Sequence, residues 1–142
     1  MKIIRFSKEH FAAHQKWFED SYLNKELGPM DNEWLEAVLA GESHFCAFDN
    51  DTLVAVIGVE YPDSLHNYYV ITDIAVNPEL QNQGIGTRAL NQLINKLSTE
   101  GQSTWKAYIN LSNHTALAFF KKNGWQENDD ILEGMIEMSL HV

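Results

Sequence analysis

The stretch from Tyr69 to Leu97, YVITDIAVNPELQNQGIGTRALNQLINKL, most constrains what this chain can fold into. Tyr69 to Val76 is an apolar run that reads as a strand. It passes a turn at Asn77-Pro78 and the polar residues Glu79 to Gln83, and reaches Gly84-Ile85-Gly86. From there Ile85, Ala89, Leu90, Leu93, Ile94 and Leu97 recur at helical spacing, which predicts a helix from Gly84 to Leu97. A glycine pair at a helix mouth after a strand is a site for an anion, most often a phosphate. The first backbone N–H groups have no partner inside the helix, and the helix dipole adds partial positive charge. A Cβ at those positions would keep a phosphate from close approach.

The flanking chain predicts an α+β domain spanning residues 1–142. Lys2 to Phe6 reads as a strand. Ser7 is placed to cap a helix carrying Phe11, His14, Phe18 and Tyr22, which Gly28-Pro29 breaks. Asp31 caps a second helix with Trp34, Leu35, Val38 and Leu39 on its apolar face and Gly41 at its end. His44 to Phe48 and Leu53 to Tyr61 read as a hairpin through Asp49-Asn50-Asp51, and His66 to Val76 as the next strand after a turn at Pro62-Asp63-Ser64. Beyond the central helix, Gly101 reads as its terminator, Thr104 to Leu111 as a strand, and Ser112 or Asn113 as the cap of a helix ending at Gly124. Trp125 to Asn128 and Met135 to His141 read as a closing pair joined through Asn128-Asp129-Asp130. The order is β-α-α-β-β-β-α-β-α-β-β, a largely antiparallel sheet with one parallel, right-handed βαβ crossover.

Composition narrows the function classes. Ten Lys and Arg against twenty Asp and Glu leave a formal charge of −10, so nucleic-acid binding, which needs a basic patch, is not expected. Much of the excess lies early, at Glu19, Asp20, Glu26, Asp31, Glu33 and Glu36. It reads either as a solvated face or as a field that draws a cationic acceptor. No apolar run is long enough to cross a bilayer, the first residues turn polar too early for a signal peptide, and Cys46 alone allows no internal disulfide, so the cytoplasm is the expected compartment.

Two glycine-loop readings compete. Gly84, Gly86 and Ala89 match the dinucleotide fingerprint G-x-G-x-x-A, but the strand ends well before Gly84, and the following strand offers no acidic residue at its end. A P-loop fails because no Lys-Ser/Thr pair follows the glycines. The other pattern is Gln-x-x-Gly-x-Gly at Gln81, Gly84 and Gly86, after a strand ending Ile74-Ala75-Val76-Asn77-Pro78. Later comes Asn110-Leu-Ser-Asn113-His-Thr-Ala116-Leu-Ala-Phe119-Phe120-Lys-Lys-Asn-Gly124-Trp125.

On these two stretches, in this order and with a strand between them, the chain resembles the GCN5-related N-acetyltransferase (GNAT) superfamily. The resemblance implies acetyl-CoA as acetyl donor and no metal. It implies that the backbone of Ile74, Ala75 and Val76 pairs with the pantetheine arm. Gln81, Asn82, Gln83, Gly84, Ile85, Gly86 and Thr87 then surround the pyrophosphate, with Arg88 either adding a charge or facing solvent. Asn113 matches the family asparagine that touches the cofactor arm, and it also reads as a plain N-cap. Phe120 stands where many relatives carry the tyrosine that protonates the departing thiolate. The thiol's reference pKa of about 8.5 lets a thiolate leave near neutral pH, helped by water, a backbone N–H or Tyr108, which otherwise reads as a core strand residue.

An ammonium acceptor must lose a proton before it attacks. Glu60 and Asp73, carboxylates within apolar strands, are the candidate bases, or else ordinary solvent-facing or salt-bridged residues. His10 and His14 lie four apart on a helix but lack a third ligand at useful spacing, so a metal site is not expected. Trp17 and Trp34 read as core aromatics. The chain thus reads as an N-acetyltransferase acting on a cationic small molecule or a peptide amine. The alternative is a non-catalytic acetyl-CoA-binding sensor of the same fold. Many relatives pair through strands or helices, so a homodimer is one expectation.

Overall fold

The computed structural model describes residues 1–98 and 103–142, apart from the side chains of 129–131. Its elements are β1 (Lys2–Arg5), α1 (Phe11–Trp17), α2 (Ser21–Leu27), α3 (Asn32–Gly41), β2 (His44–Asp49), β3 (Thr52–Glu60), β4 (Tyr69–Val76), α4 (Ile85–Leu97), β5 (Thr104–Asn110), α5 (His114–Lys122), β6 (Gln126–Leu132) and β7 (Met135–His141). Short 3-10 turns at Lys8–His10 and Pro78–Leu80 precede α1 and follow β4. Seven strands form one sheet in the order β1-β2-β3-β4-β5-β7-β6. β4 and β5 are parallel, with Tyr69 opposite Trp105 and Ile71 opposite Ala107, as a βαβ crossover requires. The pairs β1–β2, β2–β3, β5–β7 and β6–β7 are antiparallel. No helix among the described residues is long and apolar enough to cross a membrane.

Residues 1–58 and 73–96 form one compact unit, and residues 59–72 and 97–142 another. In the first, Phe6, Trp17, Phe18, Leu23, Met30, Leu35, Val38, Cys46, Leu53, Val56 and Ala75 make a buried cluster. Trp17 is thus core, and Trp34 packs against the cluster half-buried. The Cys46 thiol is fully buried, and burial pushes its pKa up to about 12, so it behaves as a small apolar side chain. In the second unit Tyr69 stacks on the fully buried Trp105, ring centroids 4.3 Å apart. The Tyr69 hydroxyl donates to the Leu97 carbonyl at 2.8 Å and Trp105 Nε1 donates to Ser98 Oγ at 3.1 Å, so both aromatic polar tips are satisfied.

Three expectations need correction. The helix expected from Ser7 to Gly28 is two helices. Asp20 caps α2, its carboxylate accepting the Leu23 N–H at 3.1 Å, and the end of α1 tightens through Asp20 N–H to Trp17 O at 3.0 Å. The apolar spacing runs across this break, so periodicity alone could not show it, whereas a carboxylate that competes for backbone amides does. The strand expected from His66 starts at Tyr69. The Asp63 carboxylate accepts the N–H groups of Leu65 and His66, both at 2.8 Å, and holds those residues in a loop. The last hairpin does not turn at 128–130. β6 runs on to Leu132, which pairs with Met135 across a two-residue turn at Glu133 (φ 53°) and Gly134 (φ 76°). Two left-handed residues match the strand twist, while 128–130 fall where the register of β6 shifts. Asp31 caps α3 as expected and Asp20 caps α2, so part of the early acidic excess is structural. The terminator expected at Gly101 lies outside the described residues.

Candidate active site

In the first unit, β4 ends at Val76 and Asn77 pins the exit. Its N–H donates to the Val54 carbonyl at 2.9 Å and its Oδ1 accepts from the Glu79 N–H at 3.1 Å. Gln81, Asn82, Gln83 and Gly84 are exposed, and Asn82 (φ 65°) and Gly84 (φ 73°) take left-handed backbone. An added Cβ on Gly84 would meet no protein atom within 4 Å, so that side of the turn is open. The Arg88 N–H closes onto the Gly84 carbonyl at 3.1 Å. The amides of Ile85, Gly86 and Thr87 come before it in the first turn of α4, where no helical acceptor exists. Ile85, Ala89, Leu90, Leu93 and Ile94 are buried, which anchors the helix and leaves its mouth outward. Arg88 is half-exposed and leans toward Asp49, Nη1 to Oδ2 at 3.9 Å. An open left-handed glycine before unpaired amides suits a pyrophosphate, and the partly buried Ile74 and Val76 flank the fully buried Ala75 on the strand before it.

Asp73, one residue before that strand end, has a partner the sequence reading missed. His44 Nε2 lies 3.0 Å and 3.1 Å from its two carboxylate oxygens. The Asp73 side chain is 19% exposed, while His44 is buried. The other ring nitrogen, Nδ1, lies 2.9 Å from Ser43 Oγ. His14 of α1 lies close enough for both groups to act on it. Burial above all lowers its pKa from 6.5 to about 4, Asp73 opposes this, and His44 adds to it. Neither ring nitrogen of His14 has a hydrogen-bond partner among the described residues, and its ring packs edge-on against Phe6, Trp17 and Phe18. Trp34 meets both His14 and His44, at 5.0 Å and 5.3 Å between centroids.

The remaining candidates belong to the second unit. Asn113 caps α5, its Oδ1 accepting the Ala116 N–H at 3.1 Å. Phe120 is buried, packed edge-on against Phe119 and Trp125 at 5.3 Å and 4.8 Å. Exposed Glu60 lines a groove of about 230 Å³ with Tyr61, Asp63, His66, Tyr68, Val70 and Tyr108. Tyr108 is 42% exposed, not packed in the core as its strand position suggested. Its hydroxyl donates to Glu137 Oε1 at 3.0 Å, and burial together with hydrogen bonds to Tyr68 and Glu137 raises its pKa, so it holds its proton. Burial raises the Glu137 carboxyl, but hydrogen bonds from Lys106, Asn128 and Tyr108 bring it below the usual range. Lys106 Nζ reaches Glu137 at 3.1 Å and lies 4.1 Å from the Tyr68 ring centroid. The tyrosine-lined groove thus already holds one ammonium at its edge.

Comparison with known proteins places the fold. A model of the acetyltransferase (GNAT) family matches residues 9–125. An uncharacterized N-acetyltransferase of Methanocaldococcus jannaschii is 28% identical over 68 residues, which is 48% of this chain and 30% of that protein. The ribosomal-protein-S18-alanine N-acetyltransferase of Escherichia coli superposes with a TM-score of 0.71 at 21% identity, over 99% of this chain and 93% of its own. The PaiA N-acetyltransferase of Thermoplasma acidophilum, solved in complex with coenzyme A, superposes with a TM-score of 0.73 at 16% identity, over 99% and 98%.

Proposed function

The chain belongs to the acetyltransferase (GNAT) family, and from that premise we propose that it moves an acetyl group from acetyl-CoA to a primary amine by direct attack in a ternary complex. The observation that carries this reading is the turn from β4 into α4: an open glycine at φ 73° before amides that have no helical acceptor. Amides from Asn82 to Thr87 hold the pyrophosphate. Each amide-to-phosphate bond is charge-assisted and worth on the order of 1.5–3 kcal/mol, so several suffice without a dedicated lysine. The backbone of Ile74 to Val76 pairs with the pantetheine arm, one of its N–H groups polarises the thioester carbonyl, and Asn113 touches the arm. The family model reaches into both compact units, which supports reading residues 1–142 as one catalytic domain.

Asp73 is the better placed of the two candidate bases. Its carboxylate adjoins the arm-binding strand, keeps partial exposure and is hydrogen-bonded, so it can take the ammonium proton in a fixed geometry. Glu60, exposed in a groove of tyrosines, suits holding a cationic acceptor rather than deprotonating it. That chemistry fits a cationic small molecule or a peptide amine. Phe120 brings no hydroxyl and Tyr108 holds its proton, so coenzyme A departs as a thiolate. The enzyme's contribution is mainly position and orientation of the two substrates.

Calorimetric titration with acetyl-CoA, followed by an amine panel read by free-thiol release, tests the reading. Binding at micromolar concentration and turnover of at least one amine are expected. No binding at millimolar acetyl-CoA would sink it, and binding without turnover on any amine would favour the sensor, which the missing tyrosine at Phe120 motivates.

A further inference from the structure

We infer that His44 is a positioning residue for Asp73, reaching it across the strand between them through a gap left by Gly58. The sheet order places β3 between β2 and β4, so His44 and Asp73 start two strand spacings apart, about 9.5 Å. Directly opposed residues of an antiparallel pair project to the same face. The residue opposite His44 is Gly58. A side chain there would project on that same face, on the strand between His44 and Asp73. Gly58 is an isolated glycine in the otherwise apolar run Leu53 to Val59, the pattern that marks a close approach over a strand. Through that gap His44 Nε2 comes to 3.0 Å and 3.1 Å of both Asp73 oxygens.

The network fixes the proton on one ring nitrogen. A carboxylate can only accept, so the proton sits on Nε2 and is donated to Asp73. The other nitrogen, Nδ1, is held by the Ser43 hydroxyl at 2.9 Å, which can donate or accept. Trp34 closes the ring's flank, edge-on at 5.3 Å between centroids. His44 is therefore held at both nitrogens and on one side, and it in turn locks the Asp73 rotamer. The proton from the acceptor amine goes to Asp73, and His44 itself touches no substrate. This inference rests on Asp73 being the base.

Two measurements separate the inference from the reading beneath it. First, ¹⁵N NMR of the ligand-free protein reads the His44 tautomer without any turnover. Protonation at Nε2 is expected, and an unprotonated Nε2 would overturn the positioning role. Second, kcat and KM are compared across variants on an amine that the wild type acetylates. Asp73→Asn is expected to lower kcat about 100-fold, within the range for removing a general base, with acetyl-CoA affinity unchanged. Gln at position 44 can place an amide N–H where Nε2 was, whereas Asn reaches only the position of Nδ1. His44→Gln is therefore expected to keep kcat within about threefold, while His44→Asn and Gly58→Val lose about tenfold or more, all at near-constant KM. Equal rates for His44→Gln and His44→Asn, with Asp73→Asn impaired, would overturn the role of His44 alone. A wild-type rate for Asp73→Asn would instead overturn the assignment of the base.

Discussion

β4 enters α4 and β5 enters α5 by the same kind of passage, a strand, a polar turn and a helix, yet the two are finished in opposite ways. Before α4 stands Gly84, left-handed and without a side chain that could cap the first amides of the helix. Before α5 stands Asn113, whose Oδ1 takes the Ala116 N–H, while the Asn110 side chain accepts from the Ser112 N–H and hydroxyl at 3.0 Å and 2.8 Å. The polar clusters of the two units differ in the same sense. Around Glu137 the donors Lys106, Asn128 and Tyr108 converge on one half-exposed carboxylate. The first unit buries His14 without a hydrogen bond and commits His44 to a single carboxylate. One unit closes its polar groups among themselves. The other leaves amides open and buries a histidine that has no hydrogen-bond partner among the described residues, which lowers stability and is characteristic of sites that handle a ligand.

The largest expected effect comes from the buried histidine. His14 stays neutral in the folded chain down to about pH 4, whereas the unfolded chain takes up the proton below about 6.5. The unfolded state therefore binds more protons in this window. The contribution is neutral above pH 6.5, grows destabilising as pH falls to about 4, and levels off below that. At about 1.36 kcal/mol per pH unit it amounts to on the order of 3 kcal/mol. Denaturant midpoints of the wild type and His14→Phe should diverge across this window, the variant losing less. Parallel curves would mean that His14 is solvated, and the contrast between the units would weaken.

Next in size is the pair of helix mouths. Gly84→Val puts a β-branched residue at φ 73° and a side chain into the open face of the turn. Acetyl-CoA affinity should fall by roughly 1.5–3 kcal/mol, the worth of about one charge-assisted hydrogen bond, and stability by about 1–2 kcal/mol from backbone strain. Asn113→Ala should do the reverse: a stability loss of about 1 kcal/mol for the missing cap and a smaller loss of affinity. Asn113→Asp keeps the cap oxygen, so stability should return. Any affinity that stays lost then measures contact between the Asn113 amide and the cofactor arm. Equal affinity losses at positions 84 and 113 would erase the distinction between an open and a closed turn.

What was legible in the sequence follows the range of the interactions. The strand from Tyr69 to Val76 and the helix reaching Leu97 were readable almost to their ends, because a buried strand, a glycine turn and a 3.6-residue stripe are local patterns. Asn113 as a cap was readable for the same reason. The break at Asp20 was not, since Phe11, His14, Phe18 and Tyr22 keep helical spacing across it. Glu133 is an unusual residue for a left-handed turn position, whereas 128–130 carry the Asn and Asp residues that favour turns. The His44–Asp73 contact spans 29 positions and crosses a strand, which no local pattern encodes. Its one visible trace was Gly58, the lone glycine in an apolar strand.

The smallest effect tests the closed side of the comparison. Lys106 and Glu137 pair at 3.1 Å with side chains 24% and 20% exposed, and the ammonium also rests on the Tyr68 ring. A partly exposed pair gains little net energy, because both charges keep much of their hydration and the lysine gives up rotamer freedom. Lys106→Met keeps the stem over the ring and removes only the charge. Glu137 keeps its hydrogen bonds from Tyr108 and Asn128, so it is not stranded. The loss in stability should stay under about 1 kcal/mol and shrink further as salt is raised, since salt screens a pair this accessible. A loss of several kcal/mol that salt does not reduce would mean that Glu137 depends on its cation as a buried ion pair does, and the contrast between the two units would fail.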